Sequence, residues 1–215
     1  MTISGIVLAG GRSTRMGQDK ASLPFGDETM LDRVVRVVRG VVDEVIVVAR
    51  PDQGGGSPQL RGGGNPFLGL PVRVVHDPIA DLGPLAGIAA GLSASASELN
   101  IIIACDMPLI RPEILRRLIE LRGDADICLA VVDGHASPLC AVYRTTVART
   151  AQALLDSGER RVMALLDRVP TKRVDAAAFR DIDPDLDSFV SCDTPEAYQQ
   201  ALVRLKPDAT LEGEA

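Results

Sequence analysis

The sequence predicts an α/β protein, a three-layer, doubly wound fold around a mostly parallel β-sheet. Strand-type and helix-type patterns alternate through residues 1–125, the order that a parallel sheet with crossover helices requires. Of the 215 residues, 46% are apolar, which is enough to fill a core between helices and sheet. This length suits one domain, so we predict a single domain over residues 1–205 and a disordered tail at 206–215.

The individual elements follow from local periodicity. Short β-branched runs bounded by turn-forming residues predict strands in SGIVLA, EVIVVA, PVRVVHD, NIIIA, DICLAVV and PLCAVYR. Apolar residues at helical spacing predict helices near residues 28–41, 83–96, 112–122, 145–155 and 159–166. A last helix is expected to begin at Pro195, with Thr194 as N-cap. KRVDAA and SFVSCD are predicted as short edge strands, and the glycine-rich residues 50–70 as a mobile surface loop.

Composition argues against several classes of function. A net charge of −6 disfavours binding to nucleic acid or to an anionic membrane. The start of the chain, MTISGIVLAGG, lacks a basic leader, and no apolar run approaches the ~18 residues of a membrane span, so we expect a cytoplasmic protein. The four cysteines are scattered and are predicted as buried free thiols, with a nucleophile or metal site as the alternative (Cys105, Cys128, Cys140 and Cys192).

The stretch LAGGRSTRMGQDK, which ends at Lys20, predicts an anion site. Arg12, Arg15 and Lys20 outnumber the single acid, Asp19, so this loop carries a net charge of +2 in an acidic chain. Glycines let backbone N–H groups approach phosphate oxygens, and arginine binds phosphate bidentately. The spacing matches neither G-x-x-x-x-G-K-[ST] nor G-x-G-x-x-G, which disfavours a P-loop or a dinucleotide site. The alternative is a solvated basic loop.

Asp106 stands at the end of the most apolar predicted strand. A carboxylate there is costly unless it is paired or binds a cation, and Mg²⁺ needs only one or two protein carboxylates. The alternative is that Asp106 caps the helix near Pro112 or the turn at residues 107–108. Ligands of doubly wound sheets bind at the carboxyl ends of the strands. The Gly10-Gly11 loop, HDP at 76–78 and CDMP at 105–108 are all predicted at that edge.

Five further polar residues have both a structural and a functional interpretation. Asp77 could cap a turn, and Asp193 neighbours a helix N-cap. His76 is expected to be a packed or surface residue. Arg160 and Arg161 stand at a predicted helix start, where cations oppose the helix dipole, so they indicate either a second anion site or a solvated helix face.

Taken together, these motifs resemble those of the molybdenum cofactor guanylyltransferases, the MobA family. The resemblance spans residues 4–200 in the right order, through LAGGRSTRMGQDK, HDPIADLGPLAGI, ACDMPLI, SGERRVMALL and FVSCDTPEA. It implies a Rossmann-like nucleotidyltransferase fold, with guanine nucleotide in the N-terminal half and molybdopterin toward the C-terminal half. It also implies transfer of GMP from GTP to the molybdopterin phosphate, with release of pyrophosphate.

The resemblance implies site residues by matching position. The nucleotide would be bound by Leu8, Ala9, Gly10, Gly11, Lys20, Asp77 and Asp106. Lys20, Arg15 and Asp106 would be catalytic, with Asp106 holding Mg²⁺ and the two cations neutralising phosphates. Arg160 and Arg161 are candidates for the molybdopterin phosphate. Expected partners are GTP, molybdopterin, cofactor-assembly proteins and acceptor molybdoenzymes.

Two departures from the family pattern bear on these assignments. Val48 ends the second predicted strand, where a family member can carry Asn in contact with the base. The pattern F-V-N-x-N-T-P appears as FVSCDTP, so Ser191 and Asp193 replace two asparagines. Asp193 is therefore a candidate second metal ligand. As an exposed loop cation, Lys20 is expected to contribute to turnover and little to stability.

Two alternative functions remain at this point. A cytidylyl- or guanylyltransferase could use another phosphorylated acceptor, and the choice between CTP and GTP would separate the nucleotides. A non-catalytic GTP-binding adaptor would keep Lys20 and the glycines but would not need Asp106 at a strand end. It would bind GTP without releasing pyrophosphate.

Overall fold

The predicted strands and helices form a sheet flanked by helices on both faces. The computed structural model describes residues 2–9, 20–49, 72–76 and 83–205. Its strands are β1 (Ile3–Leu8), β2 (Pro24–Phe25), β3 (Glu28–Thr29), β4 (Glu44–Ala49), β5 (Val72–His76), β6 (Leu99–Ala104), β7 (Ile127–Val132), β8 (His135–Arg144) and β9 (Thr171–Asp175). Its α-helices are α1 (Met30–Arg39), α2 (Pro84–Ala94), α3 (Pro112–Leu121), α4 (Val147–Asp156), α5 (Val162–Leu166) and α6 (Pro195–Arg204).

Seven strands form the main sheet in the order β5-β4-β1-β6-β8-β7-β9. The pairs β4–β5, β1–β4, β1–β6 and β7–β9 are parallel, whereas β8 runs antiparallel to both of its neighbours. This arrangement confirms the predicted mostly parallel, doubly wound sheet. The strand order reverses beside β1, so the chain leaves β1 and β6 at the edge where such sheets bind ligands.

Two apolar layers hold the helices against the sheet. One layer packs α1 and α3 on one face, and the other packs α2, α4 and α5 on the opposite face. Both layers meet at β1, where a methyl group on Gly5 would lie 2.2 Å from Val38 of α1. On the other face, a methyl group on Gly91 of α2 would lie 2.4 Å from Ile6 of β1. Each glycine therefore allows a helix to approach β1 closely.

A smaller cluster joins the two ends of the chain. The β2–β3 hairpin follows Lys20, and its Phe25 is buried with Cys192 and Ala201 of the C-terminal region. The Tyr198 hydroxyl of α6 donates a hydrogen bond to the Pro24 carbonyl. As predicted, Thr194 caps α6, because its hydroxyl accepts from the Ala197 N–H. The hairpin itself was not predicted.

The structure corrects two predicted elements. SFVSCD is not an edge strand: residues Asp187–Phe189 form a 3-10 turn and the residues after it are irregular. Their backbone groups bond elsewhere, since Ser188 N–H donates to Asp183 and Cys192 N–H donates to the Asp106 carbonyl. Helix α5 begins at Val162 rather than at residue 159. The Glu159 side chain accepts hydrogen bonds from the backbone N–H groups of Arg160 and Arg161, the two residues that precede the helix.

Other predictions concern parts of the chain outside the described residues. These are the glycine-rich loop at 50–70 and the tail at 206–215.

All four cysteines are buried and free, as predicted. Within the described residues, none of the helices has the length and apolar character needed to cross a membrane.

Candidate active site

Three parallel strands end side by side and form the edge on which the site stands. The Ala9 N–H donates to the carbonyl of Val48, and the Cys105 N–H donates to the carbonyl of Leu8. These two hydrogen bonds extend the pairing of β4, β1 and β6 just past the last strand residues. Leu8 and Ala9, both partly buried, therefore lie beside the start of the loop that carries Asp106.

Asp106 does not cap helix α3, so that alternative is wrong. Helix α3 has Arg111 as its N-cap residue and no side-chain cap. The Asp106 carboxylate instead accepts a hydrogen bond from Lys20, with 3.0 Å between Oδ2 and Nζ. Its side chain is only 15% exposed, so this pair lies largely out of water.

Lys20 is held between two carboxylates. It begins a 3-10 turn that leads into the β2–β3 hairpin, and its Nζ also lies 2.5 Å from Oδ1 of Asp193. The lysine side chain is 14% exposed. The expectation of an exposed loop cation is therefore wrong for Lys20, because burial and two ion pairs make it part of a folded cluster.

Asp193 reaches the cluster from the opposite end of the chain. It immediately precedes Thr194, the cap of α6, and its own carboxylate, 56% exposed, binds Lys20 instead of the helix. The neighbouring Cys192 N–H donates to the backbone carbonyl of Asp106 over 2.8 Å. This hydrogen bond joins the segment before α6 directly to the loop after β6.

Ser191 is a fourth member of the cluster, and sequence reasoning did not select it. Its side chain hydrogen-bonds to Asp106 and to Asp193. The departure from Asn at this position was the available signal, but it does not reveal which groups a serine hydroxyl contacts. We call Lys20, Asp106, Ser191 and Asp193 the carboxylate cluster.

The environments of the two carboxylates push their pKa values apart. Burial raises the pKa of Asp106, and the charge and hydrogen bond of Lys20 offset only part of that rise. Burial also opposes ionisation of Asp193, but the hydrogen bond and charge of Lys20 outweigh it and leave its pKa lowered. Burial likewise disfavours the charged form of Lys20, yet the two carboxylates raise its pKa overall. With one cation and two carboxylates ionised, the cluster has a net charge of −1.

The carboxylate cluster suits a hard divalent cation. Two carboxylates and a hydroxyl supply oxygen ligands, and Mg²⁺ takes one or two carboxylates with waters and phosphates completing its shell. Among the described residues no three His, Cys, Asp or Glu side chains are close enough to enclose a metal by themselves. An octahedral ion with two carboxylate ligands has positions left for water or substrate oxygens.

Arg160 and Arg161 lie in the turn between α4 and α5, apart from these contacts. The carbonyl of Arg160 would lie 3.9 Å from a methyl group on Gly83, the N-cap residue of α2. Both side chains are exposed. The Arg161 guanidinium pairs with Glu159 at 2.7 Å, whereas the Arg160 guanidinium has no partner within the described part of the chain.

Glu159 organises this turn, and its titration gives a testable prediction. The side-chain hydrogen bond from Arg161, followed by the backbone N–H groups of Arg161 and Arg160, lowers the pKa of Glu159 to about 2 from 4.5. A lowered carboxyl pKa stabilises the fold above pH 4.5, and this stabilisation is lost as the pH falls toward 2. Glu159→Gln should lower the Tm modestly at pH 7, and the difference from wild type should vanish near pH 2. Thermal unfolding between pH 2 and 7 measures it, and a difference independent of pH would contradict it.

Val48 does not face the site. Its side chain is 2% exposed and packs against α2, where methyl groups on Gly87 and Gly91 would lie 3.9 and 3.1 Å from it. The buried Val48 side chain is therefore not available to contact a base. His76 is exposed, which agrees with the surface position that was one of its two expected placements. Gly10, Gly11, Arg15 and Asp77 lie outside the described residues.

Comparison with known proteins identifies the family. Residues 5–172 match the model of the MobA-like NTP transferase domain. The chain belongs to the MobA-like NTP transferase family. A probable molybdenum cofactor guanylyltransferase from Pelotomaculum thermopropionicum is 34% identical over 207 residues, covering 96% of this chain and 95% of that protein. This member of the MobA-like family therefore matches a relative along nearly its whole length.

Solved structures support the same fold. Molybdopterin-guanine dinucleotide biosynthesis protein A from Archaeoglobus fulgidus superposes with a TM-score of 0.75, at 21% identity, covering 94% of this chain and 97% of its own. A Mycobacterium tuberculosis protein crystallised as a complex with manganese gives a TM-score of 0.66, at 22% identity, covering 95% of this chain and 100% of its own. The doubly wound sheet is thus shared with both of these proteins.

Proposed function

We propose that this MobA-like transferase is a molybdenum cofactor guanylyltransferase. It transfers GMP from GTP to the phosphate of molybdopterin and releases pyrophosphate. The observation that carries the proposal is the meeting of Lys20, Asp106 and Asp193 at the carboxyl ends of β1 and β6. A cation between two carboxylates at this edge suits charge neutralisation of a triphosphate.

The nucleotide half of the site comprises the edge and the loop that follows β1. Leu8 and Ala9 stand where the nucleotide would contact the strand end. Gly10 and Gly11 would present N–H groups to phosphate oxygens, Arg15 would bind them bidentately, and Asp77 would lie near the base or ribose. The domain over residues 1–205 would thus hold nucleotide in its first half and acceptor in its second.

Asp106 and Asp193 are the residues that would hold a divalent ion, which we propose to be Mg²⁺. When bound, the ion would neutralise phosphate charge and stabilise the pyrophosphate leaving group. The cluster's net charge of −1 favours a dication. Carboxylates engaged in this way would no longer neutralise Lys20, so its ammonium group could turn toward the phosphates.

The chemistry needs little from the protein beyond binding and charge neutralisation. A phosphate oxygen of molybdopterin would attack the α-phosphorus of GTP in line, forming one P–O bond as the bond to pyrophosphate breaks. The attacking phosphate is ionised at neutral pH, so no general base is required. Lys20, Arg15 and the loop amides would balance the charge of two anions brought together.

The charge of Asp193 gives one prediction for the metal. Asp193→Asn keeps the shape of the side chain but removes a negative charge, so the divalent-ion concentration for half-maximal activity should rise several-fold. Activity measured against Mg²⁺ and Mn²⁺ tests this, with the exposed Asp124→Asn as control. An unchanged metal dependence would remove Asp193 from the ligand set.

Arg160 gives a prediction for the acceptor. Its guanidinium, which has no ion-pair partner among the described residues, is the better candidate for the molybdopterin phosphate, since Arg161 is already paired with Glu159. Arg160→Ala should raise the KM for molybdopterin about tenfold, the equivalent of ~1.4 kcal/mol for a charged hydrogen bond, and leave the KM for GTP nearly unchanged. The exposed Arg168→Ala is the matched control. A larger effect on GTP than on molybdopterin would contradict this assignment.

The test of the whole proposal is nucleotide-dependent pyrophosphate release with Mg²⁺ and molybdopterin, comparing GTP with CTP. Release with GTP alone supports guanylyl transfer. Release with CTP alone would make the protein a cytidylyltransferase, and release with neither would remove molybdopterin as the acceptor. GTP binding without release, even with other phosphorylated acceptors, would indicate a binding adaptor.

A further inference from the structure

The segment of residues 183–193 connects a buried carboxylate to the carboxylate cluster. Asp183 is 0% exposed, and among the described residues it is the one fully buried acidic side chain. The chain then passes through Leu186, which has a left-handed φ of 57°, before reaching Asp193. Because a non-glycine residue is strained in this conformation, the contacts around it must hold the segment in place.

Asp183 makes two contacts that restrain the segment. Its Oδ2 accepts a hydrogen bond from the Ser188 N–H over 2.8 Å, which closes the loop that contains Leu186. Its Oδ1 has no hydrogen-bond partner but lies 3.4 Å from Nη2 of Arg111. A buried carboxylate with one oxygen not hydrogen-bonded contributes little to stability. The presence of Asp183 is better explained by the loop arrangement that it specifies.

Further hydrogen bonds join this segment to the loop after β6. Arg111 Nη1 donates to the Ile182 carbonyl over 2.7 Å, and the Arg111 N–H donates to the Ser188 hydroxyl over 3.2 Å. At the far end, the Cys192 N–H donates to the Asp106 carbonyl. The segment is therefore attached at both ends to residues 106–111, and Asp193 follows directly after the second attachment.

We infer that Asp183 is a positioning residue that holds Asp193 against Asp106 and Lys20. Without its charge, the hydrogen bond that closes the loop from 183 to 188 becomes weaker and Arg111 loses its counter-ion. The attachment at Cys192 then opens more often, and Asp193 leaves the carboxylate cluster. The consequence for metal use rests on the proposed function; the placement of Asp193 does not.

Amide hydrogen exchange at Cys192 tests the placement without any ligand. Asp183→Asn should speed exchange of the Cys192 N–H about tenfold or more, because local opening sets that rate, and leave the Ile103 N–H of β6 unchanged. Asp181→Asn is the matched control, since Asp181 is 62% exposed and pairs with Arg117 at the surface. If both amides exchange equally faster, or neither does, the inference is wrong. Should Asp183→Asn fail to fold, Ser188→Ala removes the hydroxyl contact and should show the same pattern more weakly.

The metal dependence of activity provides the second readout. In Asp183→Asn the Mn²⁺ concentration for half-maximal pyrophosphate release should rise several-fold, with kcat at saturating Mn²⁺ within about twofold of wild type. In an Asp193→Asn background the same substitution should add no further rise, because it acts through Asp193. Equal effects in both backgrounds would overturn the inference. Faster Cys192 exchange with unchanged Mn²⁺ dependence would support the placement and instead count against Asp193 as a ligand.

Discussion

Replacing Lys20 by methionine should reduce kcat for pyrophosphate release about 100- to 1000-fold, the usual cost of removing a charge-stabilising donor. Methionine retains an unbranched, flexible side chain, one atom shorter than that of lysine, and lacks the ammonium group. The reaction brings two anions together, and Lys20 is the described cation closest to Asp106, at 3.0 Å. Steady-state kinetics at saturating GTP and metal measure the loss.

The same variant should also lose stability. Asp106 and Asp193 would face each other without a cation between them, and an unsatisfied buried acceptor costs about 1–3 kcal/mol. Because divalent ions can replace the missing charge, Mn²⁺ should raise the Tm of Lys20→Met more than that of wild type. Lys172→Met, at an exposed position of β9, is the control and should alter neither quantity. Full turnover in Lys20→Met would contradict the proposed role.

Replacing Asp106 by asparagine should reduce metal-dependent transfer about 100- to 1000-fold, because in the proposed role this carboxylate holds the ion that would supply several kcal/mol of charge stabilisation. The fold should survive, for two reasons. Lys20 still pairs with Asp193, and the Asp106 backbone carbonyl still accepts from the Cys192 N–H. Burial already raises the pKa of Asp106, so neutralising this side chain removes a desolvation cost.

Transfer activity measured against metal concentration, together with the Tm, separates a loss of metal-dependent transfer from a loss of stability. Asp124→Asn makes the same chemical change at an exposed position and should leave both quantities at their wild-type values. Wild-type activity of Asp106→Asn at ordinary Mg²⁺ concentrations would show that Asp106 is not the metal ligand. Loss of activity with a large fall in Tm would instead show that the variant damages the fold.

Much of the fold could be predicted because its signals are local. The strand EVIVVA coincides with β4, and the Thr194-Pro195 pair marks the start of α6. The prediction of an edge strand at SFVSCD was wrong. The segment has the alternating pattern of a strand, but the N–H groups of Ser188 and Cys192 bond to Asp183 and Asp106. The pattern of a segment cannot reveal that distant groups compete for its hydrogen bonds.

The site was only partly predictable for a related reason. Asp106 could be selected because a carboxylate at the end of an apolar strand is costly without a partner. Its pairing with Lys20, and the burial of that lysine, depend on contacts across 86 and 173 positions of the chain. The departure from Asn at position 193 drew attention to that residue, but only the fold brings it to Lys20.

The joining of the two chain ends has a consequence for biosynthesis. Lys20 leaves the ribosome 173 positions before Asp193, so the carboxylate cluster cannot form until Asp193 has emerged. The β2–β3 hairpin likewise lacks its apolar contacts with Cys192 and Ala201 until α6 has emerged. A nascent chain that already carries Lys20 therefore lacks the complete carboxylate cluster until Asp193 has been translated. Premature termination before residue 183 should yield a protein that cannot turn over GTP.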